Sequence, residues 1–207
     1  LRDLWRDAQE TDRPPSDRAI RDVLERTGFR KLELGSGTVR FEKKDMKVDL
    51  GGIAKGYGID RAVREIRERG ADGALVDIGG DMRLVGRRED GQKWKVRVRT
   101  PPRISLGEEV YMRGSGMAIA TSGDYARPFR VGDEKFSHII DPRTGRPVEN
   151  VPSSTVVAPT ATKADALATG DPLGDPDLDL SLAAGQTALR VVLRHLQGDG
   201  PAGAAEA

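Results

Sequence analysis

The chain has 207 residues, 37% of them hydrophobic and 32% charged, and carries no cysteine. That length suits one domain with a continuous core, and the missing cysteines exclude a disulfide scaffold, a zinc–thiolate site and a cysteine nucleophile. Lys and Arg number 34 against 33 Asp and Glu, and two Trp, three Tyr and four Phe are too few for a base-stacking surface, so neither nucleic acid nor an anionic membrane is indicated. No stretch approaches the roughly 18 apolar residues of a membrane span. The chain opens at Leu1-Arg2-Asp3-Leu4-Trp5 with no initiator Met and no signal peptide, as expected of a piece of a longer polypeptide.

After the polar stretch Thr11 to Pro15, Ser16 reads as an N-cap with Asp17 in the first turn. Ile20, Val23, Leu24 and Thr27 follow at helical spacing, with Gly28 expected to close the helix. Leu32 and Leu34, a Gly35-Ser36-Gly37 turn, then Val39 and Phe41 read as a β-hairpin. A strand is expected over Met46 to Leu50, then a helix from about Ile53 to Arg69 with Ile59, Ala62, Val63 and Ile66 on one face. Ala74 to Ile78, Met82 to Leu84 and Trp94 to Val98 read as strands by apolar runs or alternation.

Beyond the Pro-rich connection Thr100 to Pro102, strands are expected around Met117 to Ala120, Phe136 to Ile140 and Ser154 to Val157, and a helix from about Thr160 to Thr169. These elements make one domain over residues 1–169. Residues 170–207 read as a divergent tail, with an amphipathic helix over Ser181 to Gln197 and disorder over Gly200 to Ala207. Many hairpin-like strands with a few helices indicate an α+β architecture, mainly antiparallel, and no internal repeat is visible.

Several patterns fail on inspection. Gly35-Ser36-Gly37 and Gly114-Ser115-Gly116 lack the sixth-position Gly or Ala of a dinucleotide loop and read as turns. Gly51 to Gly56 lacks the ending of a P-loop. Asp175, Asp177 and Asp179 alternate like calcium-loop ligands, but Leu180 and Gln186 stand where Gly and Glu are needed. His195 has no partner in sequence and reads as structural.

Four segments remain. Asp49-Leu50-Gly51-Gly52-Ile53-Ala54-Lys55-Gly56-Tyr57 opens a helix at two glycines, which either seats a phosphate on exposed N–H groups beside Lys55 or simply serves packing. Asp77-Ile78-Gly79-Gly80-Asp81 either admits a planar ligand close to the backbone or marks a bulge. Thr121-Ser122-Gly123-Asp124-Tyr125, followed by Ser137-His138-Ile139-Ile140-Asp141-Pro142-Arg143-Thr144-Gly145-Arg146-Pro147, sets a histidine before a side-chain-capped turn; it is either a base or a satisfied hydrogen-bonder. Ala164-Asp165-Ala166-Leu167-Ala168-Thr169 puts Asp165 and Thr169 on one helical face. That pair either reaches one hard cation or stands as an exposed polar pair.

Taken in order, these segments resemble the ApbE family, the FAD:protein FMN transferases. The family pattern runs through an Asp-Leu-Gly-Gly/Ala-Ile-Ala-Lys-Gly-Tyr stretch, a Gly-Gly-Asp strand end, a Thr-Ser-Gly-Asp-Tyr stretch, a Ser-His-Ile-Ile-Asp-Pro-x-Thr-Gly-x-Pro stretch and an Ala-Asp-Ala-x-x-Thr helix. All five occur here between Asp49 and Thr169. The resemblance covers roughly residues 1–169 and lacks the family's amino-terminal third. Two further departures are Asp77, where the family has Asn, and Gly170-Asp171-Pro172, where the family's helix continues.

The resemblance implies an ApbE-like, T-fold-related fold and an enzyme that moves FMN from FAD onto a Thr or Ser hydroxyl of a partner flavoprotein, releasing AMP. Alternatives within it are an FAD pyrophosphatase or a flavin-binding protein without transfer; a non-catalytic interaction module lies outside it. It implies Mg²⁺ bound by Asp165 and Thr169 with the Gly52 carbonyl, Ala168 lying in the same turn where some relatives carry an acidic ligand. It implies Asp49, Lys55 and Ile140 at the FAD site, and His138 as base for the acceptor hydroxyl. It also implies an extracytoplasmic location. No Asp-Gly-x-Ser/Thr-Gly-Ala-Thr acceptor sequence occurs in the chain, so the acceptor is expected to be another protein.

Overall fold

The computed structural model describes residues 1–98, 111–123, 128–149, 153–170 and 189–193, the last as backbone alone. Four α-helices are described: α1 (Arg2–Thr11), α2 (Asp17–Leu24), α3 (Ala54–Glu68) and α4 (Ala161–Gly170). The strands are β1 (Leu32–Gly35), β2 (Thr38–Phe41), β3 (Ala74–Ile78), β4 (Asp81–Val85), β5 (Trp94–Arg97), β6 (Tyr111–Gly114), β7 (Met117–Ser122), β8 (Phe129–Val131), β9 (Glu134–Phe136), β10 (Ser153–Ala158) and β11 (Leu189–Leu193). Five of them form an antiparallel sheet in the order β11-β10-β7-β4-β3. The pairs β1-β2, β5-β6 and β8-β9 are separate antiparallel ribbons. The α+β reading holds.

Strand alternation divides the core across the sheet. Val85, Ala118, Ala120, Val156 and Ala158 meet Ile59 and Val63 of α3 and Ala161, Ala164 and Ala168 of α4. From the opposite face Leu84, Ile119 and Val157 pack with Val96, Trp94 and Met112 of the β5-β6 ribbon. A third cluster joins Trp5 and Ala8 of α1 to Val131, Phe129, Phe136 and Ile140.

The two central helices lie antiparallel, as three close approaches show. Gly52 lies against Thr169, Gly56 against Asp165 and Ala161, and Asp60 against Ala161 and Thr162. Each helix supplies a carboxylate to the N-terminal amides of the other. Asp165 Oδ2 accepts the Gly56 N–H at 2.9 Å. Asp60 accepts the N–H groups of Ala161 and Thr162, both at 2.9 Å, the Thr162 hydroxyl at 2.6 Å and Arg83 Nη1 at 2.7 Å. These amides have no partner within their own helix, and a carboxylate there also meets the positive helix end.

Burial pushes the Asp60 carboxyl up, but the Thr162 hydroxyl and N–H, the Ala161 N–H and the Arg83 guanidinium together hold it below its ordinary value. Its stabilising contribution is therefore complete above an unfolded-state value of about 4 and is lost as pH falls through the lower folded value. Asp60→Asn is expected to cost about 2 kcal/mol at pH 7, as a lost cap and charged hydrogen bond. Urea unfolding at pH 7 and at strongly acid pH checks this: the gap between wild type and variant should narrow in acid, and a constant gap would count against the assignment.

Several sequence expectations need correction. Residues 46–50 form no strand; Lys47 Nζ meets Asp3 at 2.7 Å and Arg2 Nη1 meets Asp49 at 2.6 Å, so side-chain ion pairs strap this extended segment to α1. The expected helix over Ser181 to Gln197 is contradicted by β11, whose backbone pairs with β10 from Ser153↔Leu193 to Val157↔Leu189. Leu-Arg-Val-Val-Leu suits a strand equally well, and the open edge of β10 decides it. Helix α2 ends at Leu24, before Gly28. Strand β9 ends at Phe136, and Ile140 makes only an isolated bridge to Pro147. The expected disorder over Gly200 to Ala207 lies outside the described residues, as do Asp124, Tyr125 and the Asp175–Asp179 run. The Ser16 cap is present, its Oγ accepting the Ala19 N–H at 3.2 Å.

Candidate functional site

Where α3 begins, its first turn, the last turn of α4 and the end of β7 converge. The chain reaches this point through Asp49, whose Oδ1 accepts the Gly51 N–H at 2.8 Å, and a tight turn in which Leu50 O accepts the N–H groups of Ile53 and Ala54. Gly52 packs closely here: a Cβ there would lie 2.8 Å from Thr169 Cγ2 and 3.3 Å from its Oγ1. Thr169 Oγ1 in turn lies 3.1 Å from Ser122 Oγ at the end of β7. One turn further in, the buried Asp165 faces Lys55, its Oδ1 3.9 Å from the ammonium and beyond hydrogen-bond distance.

Lys55 also forms an ion pair with Asp81, the first residue of β4. Asp81 is 1% exposed; its Oδ1 accepts the Thr121 N–H at 3.1 Å. Burial pushes its carboxyl up from the ordinary range, against the pull of Lys55 and the Thr121 N–H. The structure therefore brings Gly52, Lys55, Asp165 and Thr169 together, with Asp81 and Ser122 beside them. Sequence reasoning attended to Gly79-Gly80 and passed over Asp81. Those glycines have φ of 65° and 95° and sit between the paired Ile78 and Asp81, so a two-residue hairpin turn accounts for them.

The other sequence-derived residues stand on different supports. Asp49 is at the surface, its carboxyl held below the usual range first by Arg2 and then by the Gly51 N–H. Ala168 is fully buried among Ile59, Val63 and the sheet residues, so its methyl packs in the core. Ile140 packs against the Trp5 cluster. His138 is exposed between buried Ser137 and Ile139. Its loop is braced by α1 and α2: Trp5 Nε1–H donates to Gly145 O at 2.8 Å, and Arg146 Nη2 meets Asp17 at 2.5 Å. The turn that follows is side-chain capped, Asp141 Oδ1 accepting the Arg143 N–H at 2.8 Å and Thr144 Oγ1 the Arg146 N–H at 3.2 Å.

No group of three or more His, Cys, Asp or Glu residues converges on a cation position among the described residues. The oxygen donors lining this seam are the Asp165 carboxylate on the Gly56 N–H and the hydroxyls of Thr169 and Ser122, 3.1 Å apart, with Gly52 close against Thr169. That set fits Mg²⁺, which takes one or two carboxylates and retains water or phosphate for its remaining positions. The Lys55 ammonium beside it suits a phosphorylated ligand.

Comparison with known proteins gives the family. The family model described as "ApbE family" matches residues 1–192. The chain belongs to the ApbE family. It is 36% identical over 173 residues to the FAD:protein FMN transferase of Vibrio cholerae, covering 82% of this chain and 52% of that one. With the Escherichia coli K12 protein of the same name it shares 34% over 161 residues, covering 75% and 46%. The chain thus spans about half the length of the curated relatives it matches. Among solved structures, the flavin transferase ApbE from Vibrio cholerae superposes with a TM-score of 0.75 at 32% identity, over 89% of this chain and 59% of that one. The Thermotoga maritima ApbE protein gives 0.72 at 34%, over 87% and 60%. The family match runs past residue 169 and includes most of β11.

Proposed function

We propose that the chain carries the metal-and-phosphate half of an FAD:protein FMN transferase, which moves FMN from FAD to a Thr or Ser hydroxyl of a partner flavoprotein and releases AMP. The observation that carries this reading is the convergence of Gly52, Lys55, Asp165 and Thr169 at the α3–α4 seam. The names of the relatives, FAD:protein FMN transferase, supply the reaction class.

In this reading the acceptor hydroxyl oxygen forms a bond to the FMN-side phosphorus, the phosphoanhydride bond breaks, and AMP leaves with the bridging oxygen. Asp165, Thr169 and the Gly52 carbonyl would hold Mg²⁺, which when bound neutralises charge developing on the adjacent phosphates. Lys55 binds the phosphates as a cation on the rim. His138 takes the hydroxyl proton, since an imidazole ordinarily titrates close to neutral pH. Asp49 and Ile140 line the approach for the dinucleotide. The acceptor is a separate protein bearing a Thr/Ser flavinylation sequence.

Incubating the purified chain with FAD, Mg²⁺ and an acceptor peptide tests this directly. AMP together with flavin covalently attached to the peptide is the expected result. AMP with free FMN would mean that water replaces the hydroxyl, making the chain a pyrophosphatase. Failure to bind FAD would leave a scaffold used for interaction alone.

A further inference from the structure

We infer that Asp81 is a positioning residue that fixes the Lys55 ammonium at the mouth of the α3–α4 seam, so that the bridging phosphates of a flavin dinucleotide meet a cation in one set place. This rests on the functional reading above and adds to it a residue that acts only through another. Asp81 cannot touch a ligand itself, because its side chain is only 2% exposed. Lys55 can, because 38% of its side chain remains open to solvent.

The connections of Asp81 point to orientation rather than to general support. Its Oδ1 is fixed by the Thr121 N–H across the β4–β7 pairing. Its Oδ2 is sealed from solvent and meets the Lys55 ammonium in an ion pair, with no other partner among the described residues. Thr121 precedes Ser122, which contacts Thr169. One carboxylate therefore ties the first turn of α3 to the same strand end that carries the hydroxyl wall of the site. A lysine has four rotatable side-chain bonds, and an unanchored ammonium 38% exposed would sample solvent. A buried carboxylate such as Asp81 is also a poor source of stability compared with an apolar residue of the same volume, which favours a role in placing the charge.

The test is a double-mutant cycle on FAD affinity in the presence of Mg²⁺, followed by flavin fluorescence, with riboflavin as the phosphate-free control. Asp81→Asn retains the shape and an oxygen for the Thr121 N–H but removes the charge that holds Lys55. It is expected to weaken FAD about tenfold, the scale of one charge-assisted hydrogen bond. Lys55→Ala should weaken FAD at least as much, and the double variant should be no weaker than Lys55→Ala alone, since both changes act through one ammonium. Riboflavin affinity should stay the same in all of them.

Wild-type FAD affinity in Asp81→Asn, independent losses that multiply in the double variant, or an equal loss for riboflavin would each overturn the positioning role. Should Asp81→Asn fail to fold, Lys55→Arg decides: it keeps the charge but cannot take the ammonium's place, and wild-type FAD affinity in it would overturn the inference. A wild-type chain that binds no FAD would instead overturn the functional reading, and this inference with it.

Discussion

Gly56→Ala is expected to destabilise the protein by about 3 kcal/mol or more, although alanine is ordinarily the better helix former by about 1 kcal/mol. The reason is the seam. A Cβ at position 56 would lie 2.5 Å from the carbonyl carbon of Ala161 and 2.8 Å from the Thr162 Cα, and closer still to the Ala161 oxygen. These are backbone atoms of α4, so no rotamer change relieves the clash and the two helices must separate. Separation breaks both reciprocal caps, the Asp165 bond to the Gly56 N–H and the Asp60 bonds to Ala161 and Thr162. For a domain of this size the melting temperature should fall by roughly 6–12 °C. Thermal unfolding followed by circular dichroism measures it; an unchanged or raised midpoint would show that the helices do not touch there.

Asp165→Asn is expected to lower Mg²⁺-dependent AMP release from FAD by about 10³-fold, or ~4 kcal/mol of transition-state stabilisation, while leaving the fold in place. Asparagine keeps an oxygen to accept the Gly56 N–H that Asp165 accepts at 2.9 Å. What it lacks is the charge that a hard cation needs from its protein ligand. Asp165→Ala would confound the two effects, because the buried Gly56 N–H would lose its acceptor at a further cost of about 1–3 kcal/mol. Steady-state AMP release and a urea midpoint on the same Asn preparation separate chemistry from stability. A rate within a few fold of wild type would remove Asp165 from the site.

What was legible in the sequence follows a physical rule. Local signals carried through: the Ser16 cap, the 3.6-residue spacing of Ile59, Val63 and Ile66, the Gly35–Gly37 hairpin, and the i, i+4 pair Asp165 and Thr169. Signals that depend on distant partners did not. Helix α1 buries Trp5 and Ala8, and its indole is anchored 140 residues away on Gly145, which nothing in the ten-residue window announces. Met46-Lys47-Val48-Asp49-Leu50 alternates like a strand, yet ion pairs to α1 hold it and Val48 and Leu50 remain exposed. Leu189–Leu193 is a strand because β10 presents an edge to it.

The site divides the same way. Gly52 and Lys55 could be named from their motif, but Asp81 becomes notable only when folding buries it against Lys55, and Asp60 only when the α4 amides reach it. Buried charge is a tertiary property, and a Gly-Gly-Asp string reports the turn before it reports the carboxylate.

Manganese binding tests the central claim most directly, because Mn²⁺ replaces Mg²⁺ among oxygen ligands and its electron paramagnetic resonance signal reports the bound fraction without any turnover. Titrated into the chain with FAD present, Mn²⁺ is expected to fill one site, to lose it in Asp165→Asn and to bind more weakly in Thr169→Val. Equal Mn²⁺ affinity in all three proteins would contradict a cation held between the last turn of α4 and the glycine turn at Gly52.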